Sequence, residues 1–117
     1  MKPVKWIGRS KADLREFPAQ VKKDVGIALY YAQLGEKHTS AKPLQGFGGA
    51  GVLEVVEDYD GDTYRAVYTV KFREAVYVLH AFKKKAKKGI STPKQEIELI
   101  KERLHRAEQD YKQSRKG

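Results

Sequence analysis

The chain has 117 residues, no cysteine and a formal net charge of +9, with 40 % hydrophobic and 33 % charged residues. These values describe one folded domain, 1–117, and they exclude a disordered chain, a disulfide scaffold, a thiol nucleophile and a cysteine-ligated zinc site. No apolar run approaches the roughly 20 residues of a membrane span. The N-terminus lacks an apolar signal region, so we expect a cytoplasmic protein with no membrane partner. The basic charge favours a polyanionic partner such as nucleic acid.

The N-terminal part of the chain predicts a short strand and two helices. Lys5-Trp6-Ile7 is a candidate strand, and Ser10 is a candidate N-cap for a helix that ends before Pro18. A second helix follows, because apolar residues recur at helical spacing up to Gly35, which ends it. Its buried stripe is expected to comprise Val21, Val25, Ala28, Leu29 and Ala32, widened by Ile27, Tyr30, Tyr31 and Leu34. The two helices are expected to form a helical hairpin.

A glycine-rich loop is predicted between these helices and the first long strand. Gly46, Gly48 and Gly51 match the letters of the G-x-G-x-x-G dinucleotide pattern. That pattern works where it follows a strand and opens a helix, whereas this segment precedes a strand. No nucleotide cofactor, and no other small-molecule cofactor, is therefore expected.

The strongest local signal is a β-hairpin. Asp60-Gly61 suits the positive φ angles of a two-residue type I′ turn, and β-branched and aromatic residues dominate both flanks. Counting back from this turn places Val56 opposite Arg65 and Glu54 opposite Val67.

A third strand follows the hairpin and ends in a cluster of lysines. A symmetric connection centred on Phe72 and Arg73 would place His80 opposite Arg65, so that Arg65, His80 and Glu54 share one face of the sheet. The opposite face would be almost purely apolar and would form the core. Its members are expected to be Leu53, Val55, Ala66, Tyr68, Val70, Tyr77 and Leu79.

The C-terminal segment predicts one long helix. Thr92 is a candidate N-cap, Pro93 occupies the first helical position, and Gln95 completes a capping box. Apolar residues then recur three and four apart, and the last residues, 112–117, are expected to fray. The stripe comprises Ile97, Ile100, Leu104, Ala107 and Tyr111.

The residue types leave cationic chemistry as the main candidate. The three histidines, His38, His80 and His105, are scattered without a carboxylate cluster, so no metal site is expected. Arginine can grip a phosphodiester, and lysine or histidine can move a proton. Five lysines lie within 83–88. The alternatives remain open that this run is a solvated turn and that His80 is a satisfied core histidine.

Several segments resemble the RelE/ParE superfamily of toxins, and most closely its HigB-like, phage-derived branch. They are Leu53-Glu54, Tyr64-Arg65-Ala66-Val67-Tyr68, Val78 to Lys85, and Thr92-Pro93 followed by Glu96-Ile97. The chain departs from many members at Val56, which stands where they carry arginine. The resemblance implies a compact α+β fold, with an N-terminal helical hairpin and a C-terminal helix packed on a small antiparallel sheet.

The resemblance also implies a toxin of a type II toxin–antitoxin pair that cleaves messenger RNA without metal, often on the ribosome. Its partner would be a helix-turn-helix antitoxin. Arg65 would stabilise the phosphorane, Lys84 would bind phosphate and supply a proton, and His80 is a possible base. Lys83, Lys85, Lys87 and Lys88 would bind RNA. Two alternatives are a ParE-type inhibitor of DNA gyrase that is not a nuclease, and a phage-derived RNA-binding protein that has lost activity.

Overall fold

The computed structural model describes residues 1–49, 51–84 and 92–116. In chain order the elements are β1 (Val4–Trp6), α1 (Ser10–Arg15), α2 (Ala19–Gln33), β2 (Ala41–Pro43), β3 (Val52–Tyr59), β4 (Asp62–Thr69), β5 (Val76–Lys84) and α3 (Lys94–Lys116). The strands form one sheet in the order β1-β5-β4-β3-β2. β1 runs parallel to β5, and the other neighbouring pairs are antiparallel. This α+β architecture confirms the fold expected from the sequence and agrees with a RelE-like domain.

The sheet is covered on both faces. α1 and α2 cover one face, called here the α1/α2 face, and α3 covers the other, called the α3 face. Fully buried side chains on the first include Val21, Val25, Val55, Ala66 and Val78. On the second they include Val67, Tyr77, Leu79, Ile100 and Ala107. Strand residues alternate between the faces, so each strand contributes to both cores.

The predicted hairpin between β3 and β4 is confirmed. Asp60 and Gly61 have φ angles of 50° and 86°, the left-handed values that a two-residue turn of this type requires. Val56 pairs with Arg65 and Glu54 with Val67, as counted from the turn.

The predicted pairing of β4 with β5 is wrong. Arg65 faces Phe82, and His80 faces Val67. A β-bulge then adds Leu79 to β5, so that the next residue of β4, Tyr68, pairs with Val78. The connection between the strands is therefore not symmetric about Phe72 and Arg73.

The bulge also moves two core residues to the other face. Tyr77 and Leu79 pack with α3 and do not share the predicted face with Val55 and Ala66. One extra residue in a strand shifts the alternation of all residues on one side of it. Arg65 and His80 both lie on the same side of the bulge along the strands, so the bulge does not change their relative orientation. Together with Glu54 on β3 they share the α3 face, as predicted.

Several local predictions need correction. Ser10 lies inside α1, where it is buried and donates its hydroxyl hydrogen to the carbonyl of Val78, and Arg9 takes the cap position. β2 lies within the segment predicted as loop. The outer residues of α2, predicted to widen its buried stripe, are exposed. α3 continues to Lys116, through most of the segment expected to fray.

Among the described residues, α3 and the shorter helices lack the combination of length and apolarity that crossing a membrane would require.

Candidate functional site

A row of alternating side chains on β5 defines the site. His80, Phe82 and Lys84 are two residues apart, so they project from the α3 face of the sheet. Arg65 on β4 stands directly opposite Phe82, the middle of the row. His80 and Lys84 are then its two diagonal neighbours across the strand pair. An arginine is thereby placed beside a histidine, an aromatic ring and a lysine.

Arg65 is held in place by two neighbours. Its Nη1 lies 3.1 Å from Glu54 Oε1 and 3.3 Å from Thr92 Oγ1, and Thr92 donates to the same Glu54 oxygen at 3.1 Å. Only 5 % of Arg65 is exposed, so this charge is buried and compensated. β3 supplies the carboxylate, and Thr92, two residues before α3, supplies the hydroxyl.

His80 is buried between two charged residues of α3. Its Nε2 lies 2.6 Å from Glu96 Oε1, and its Nδ1 lies 3.2 Å from Nη1 of Arg103. Because a guanidinium only donates, Nδ1 must accept and Nε2 must carry the hydrogen that is donated to Glu96. The ring also stacks on Phe82, with centroids 4.8 Å apart.

The pKa of His80 is lowered from its ordinary value of 6.5. Burial is the largest cause, and the Arg103 guanidinium acts in the same direction, whereas the Glu96 carboxylate opposes both. The imidazole is therefore neutral at neutral pH, in agreement with the tautomer that the hydrogen bonds require.

Arg103 is a site residue that the sequence reasoning missed. It is 9 % exposed, and its Nη1 also donates to the carbonyl of Leu79, the bulge residue, at 3.0 Å. Gly8 leaves room for it: a Cβ there would meet the guanidinium at 3.0 Å, and Gly8 has a φ of +59°. The available signal was its position, because Arg103 falls three residues after Ile100 and four before Ala107, inside the apolar stripe.

The predicted lysines fall into three groups. Lys84 lies on the α3 face with Arg65. Lys83 lies on the α1/α2 face and pairs with Asp62 at 3.6 Å. Lys85, Lys87 and Lys88 lie outside the described residues.

A cavity of about 450 Å³ opens beside the row, where β5 continues past its pairing with β1. Its lining combines carboxylates, aromatic rings and one lysine: Asp13, Glu16, Phe17, Tyr64, His80, Ala81, Phe82, Lys83 and Glu96. The His80–Glu96 pair thus borders a space large enough for part of a ligand. In residues 1–49, 51–84 and 92–116, the histidines and carboxylates form no group of three that could hold a metal ion.

The fold and the site together define a class: a small basic α+β domain of RelE-like architecture with arginine, histidine and lysine on one sheet face. A comparison with protein families agrees. The chain belongs to the family described as phage derived protein Gp49-like (DUF891), whose pattern matches residues 12–105. None of the curated proteins matches the chain.

Proposed function

We propose that this protein is the toxin of a type II toxin–antitoxin pair and a metal-independent endoribonuclease that cleaves messenger RNA. The observation that carries the proposal is the placement of Arg65 opposite Phe82, between His80 and Lys84, on one face of the sheet. Membership of the phage-derived Gp49-like family supports it.

The composition of this row suits single-stranded RNA. Arginine and lysine bind phosphate through charge-assisted hydrogen bonds, and an aromatic ring between them offers a surface on which an unpaired base stacks. Phe82 lines the cavity next to His80, so a base on its ring would lie beside the proton-transfer groups.

The proposed reaction uses the 2′-hydroxyl of RNA as nucleophile. Its oxygen forms a bond to the adjacent phosphorus, and the bond from phosphorus to the 5′-oxygen breaks. Arg65 stabilises the charge that develops on the phosphoryl oxygens. The Glu96 carboxylate, which accepts a hydrogen bond from Nε2 of His80, takes the proton of the attacking hydroxyl, and Lys84 supplies the proton of the leaving oxygen. The products are a 2′,3′-cyclic phosphate and a 5′-hydroxyl end.

For this reaction, Arg65 must bind the RNA phosphate in place of, or in addition to, the Glu54 carboxylate. Its contact with Glu54 neutralises it, and only 5 % of its surface is exposed. Phosphate binding therefore requires RNA to displace the carboxylate or to share the guanidinium with it. The same burial favours the second candidate, a ParE-type inhibitor of DNA gyrase in which Arg65 is structural. An RNA-binding protein without activity would be the outcome if RNA binds to the wild type and is not cleaved.

The experiment compares wild type, Arg65→Ala and the double variant Glu54→Gln/Arg65→Ala on a defined message, with and without ribosomes and with EDTA present. The double variant serves as the stability control, because Arg65→Ala leaves Glu54 buried without its cation. We expect both variants to cleave roughly 10²-fold or more slowly than wild type, since each lacks the guanidinium that acts in the transition state. Lys101→Ala, on the exposed part of α3, is the matched control and should cleave normally.

Amounts of folded protein are matched by circular dichroism. Equal cleavage by wild type and the double variant would remove Arg65 from the site. Loss of wild-type cleavage in EDTA would remove the metal-free mechanism. Growth arrest on expression, with no cleavage by wild type in any condition, would favour the gyrase inhibitor.

A further inference from the structure

α2 has two apolar faces, and the described part of the fold buries one of them. The inner face is buried against the sheet. The outer face exposes Ile27, Tyr30, Tyr31 and Leu34 by 38, 49, 37 and 46 %. These positions are three and four residues apart, so they form one continuous stripe along the helix.

The stripe is free of charge over its whole length. The run Val25–Gly35, VGIALYYAQLG, contains no acidic or basic residue. A helix with one face in solvent normally carries charged residues on that face. Single exposed apolar residues are common, whereas a contiguous apolar patch marks an interaction surface.

Gly26 is a second, independent observation. It lies in the middle of α2 with an ordinary helical backbone, and a Cβ placed on it would meet nothing within 4 Å. Glycine is one of the least favourable residues for a helix interior, and neither its backbone conformation nor its packing against the described residues requires it. A glycine beside an exposed apolar stripe allows the backbone of another helix to approach closely.

The net charge of the chain, not the charges at the two ends of the stripe, selects the kind of partner. The flanks of the stripe are mixed: exposed Lys22 and Lys23 and half-buried Asp24 lie before it, and exposed Glu36 and Lys37 lie after it. In an antiparallel pair of two copies these mixed ends would face each other, so the flanking charges by themselves do not exclude a second copy. Both copies, however, carry a net charge of +9. Like charges across an interface oppose association, so a second copy fits poorly and an acidic partner fits well.

We propose that the outer face of α2, comprising Gly26, Ile27, Tyr30, Tyr31 and Leu34, docks an amphipathic helix that belongs to an acidic partner protein. Resting on the proposed function, this partner is the antitoxin. α2 lies on the opposite side of the sheet from Arg65. The docking surface is therefore separate from the RNA site, and substitutions on it leave cleavage intact.

The test uses the product of the gene adjacent to that of this chain as the candidate antitoxin, purified and titrated calorimetrically against wild type and variants. Tyr30→Asp places a charge at the centre of the stripe, and we expect it to weaken binding by roughly 10²-fold. Gly26→Ala removes the close approach without disturbing the fold, and we expect a raised thermal midpoint together with weaker binding. The control is Tyr59→Asp, which alters an equally exposed tyrosine, at 43 %, outside the stripe.

Binding by Tyr30→Asp and Gly26→Ala as tight as that of wild type would overturn the proposal. Sedimentation of the isolated wild type as a dimer that Tyr30→Asp converts to monomers would overturn it too, because the occupant would be a second copy. Cleavage is measured on the same proteins. If wild type does not cleave RNA but its complex is still weakened by Tyr30→Asp and not by Tyr59→Asp, the docking surface stands and the proposed function fails.

Discussion

The two faces of the sheet are built from the same strands but differ in chemistry. The α1/α2 face is filled by aliphatic and aromatic side chains. The α3 face combines a similar apolar core at one end with two charged groups of contacts at the other, Arg65–Glu54–Thr92 and His80–Glu96–Arg103. A buried ion pair adds little net stability compared with apolar residues of the same volume. On the α3 face, charged contacts thus replace part of the apolar packing and hold charged groups in fixed positions. We propose that the reaction takes place on this face.

Arg103 gives the largest expected loss of stability. Arg103→Met keeps much of the side-chain volume but removes the donor to His80 and to the Leu79 carbonyl, so two buried acceptors lose their partner. We expect the free energy of unfolding to fall by about 2–3 kcal/mol in urea denaturation. A loss below about 0.5 kcal/mol would show that these contacts do not organise the α3 face.

The same variant changes the pH dependence. The pKa of His80 is lowered in the folded protein, so the unfolded chain takes up this proton first, and the stability that neutral His80 contributes is lost as pH falls below about 6.5. Arg103→Met removes one cause of the lowering. We expect the pKa of His80, followed by NMR titration of its ring protons, to rise relative to wild type. An unchanged or lower value would contradict the contact.

Glu57 gives an intermediate effect on the α1/α2 side. Burial and a hydrogen bond with Asp24 raise the pKa of Glu57 from 4.5 to about 7. The folded protein therefore holds this proton more tightly than the unfolded chain, and the resulting stability is present below pH 4.5 and lost as pH rises toward about 7.

Glu57→Gln removes this titration. We expect the variant to be more stable than wild type by about 1–2 kcal/mol at pH 8, and nearly equal to it near pH 4.5. Urea denaturation at the two pH values measures the difference. Asp58→Asn, next to it on β3, is the control for lowering the negative charge of this strand by one. A benefit that does not change with pH would contradict the shared proton.

Two tyrosines give the smallest and most direct comparison of the faces. On the α3 face, Tyr77 donates to Asp110 at 2.6 Å. On the α1/α2 face, the Tyr68 hydroxyl is buried and has no hydrogen-bond partner among the described residues, and burial raises the pKa of Tyr68 to about 12. We expect Tyr77→Phe to cost about 1 kcal/mol and Tyr68→Phe to be neutral or stabilising, as measured by thermal unfolding. The reverse order would contradict the contrast between the faces.

Local rules predicted much of this fold from sequence. The turn at Asp60-Gly61 determined the β3–β4 register, because a two-residue loop leaves no freedom in the count. The β4–β5 register was wrong, because no local signal marks the bulge at Leu79, whose carbonyl accepts from Arg103, 24 residues away in sequence. The parallel pairing of β1 with β5 likewise has no local signal.

The candidate site was partly predictable for the same reason. Alternation along the strands placed Arg65, His80 and Glu54 on one face, and the geometry agrees. Glu96 and Arg103 were not predicted as site residues, because the apolar period of α3 indicated only a packing role for this helix. Thr92 was predicted only as a helix cap. Its contact with Glu54 was missed because the two residues are 38 positions apart in sequence.

The central claim is that RNA is cut at the α3 face by attack of its own 2′-hydroxyl. The most direct measurement is mass spectrometry of the ends produced by wild type in EDTA, from one RNA and from the same RNA carrying a 2′-O-methyl group at the cleavage position. We predict 2′,3′-cyclic phosphate and 5′-hydroxyl ends from the first and no cleavage at the blocked position in the second. Cleavage of the methylated RNA, or 5′-phosphate and 3′-hydroxyl ends, would contradict the mechanism.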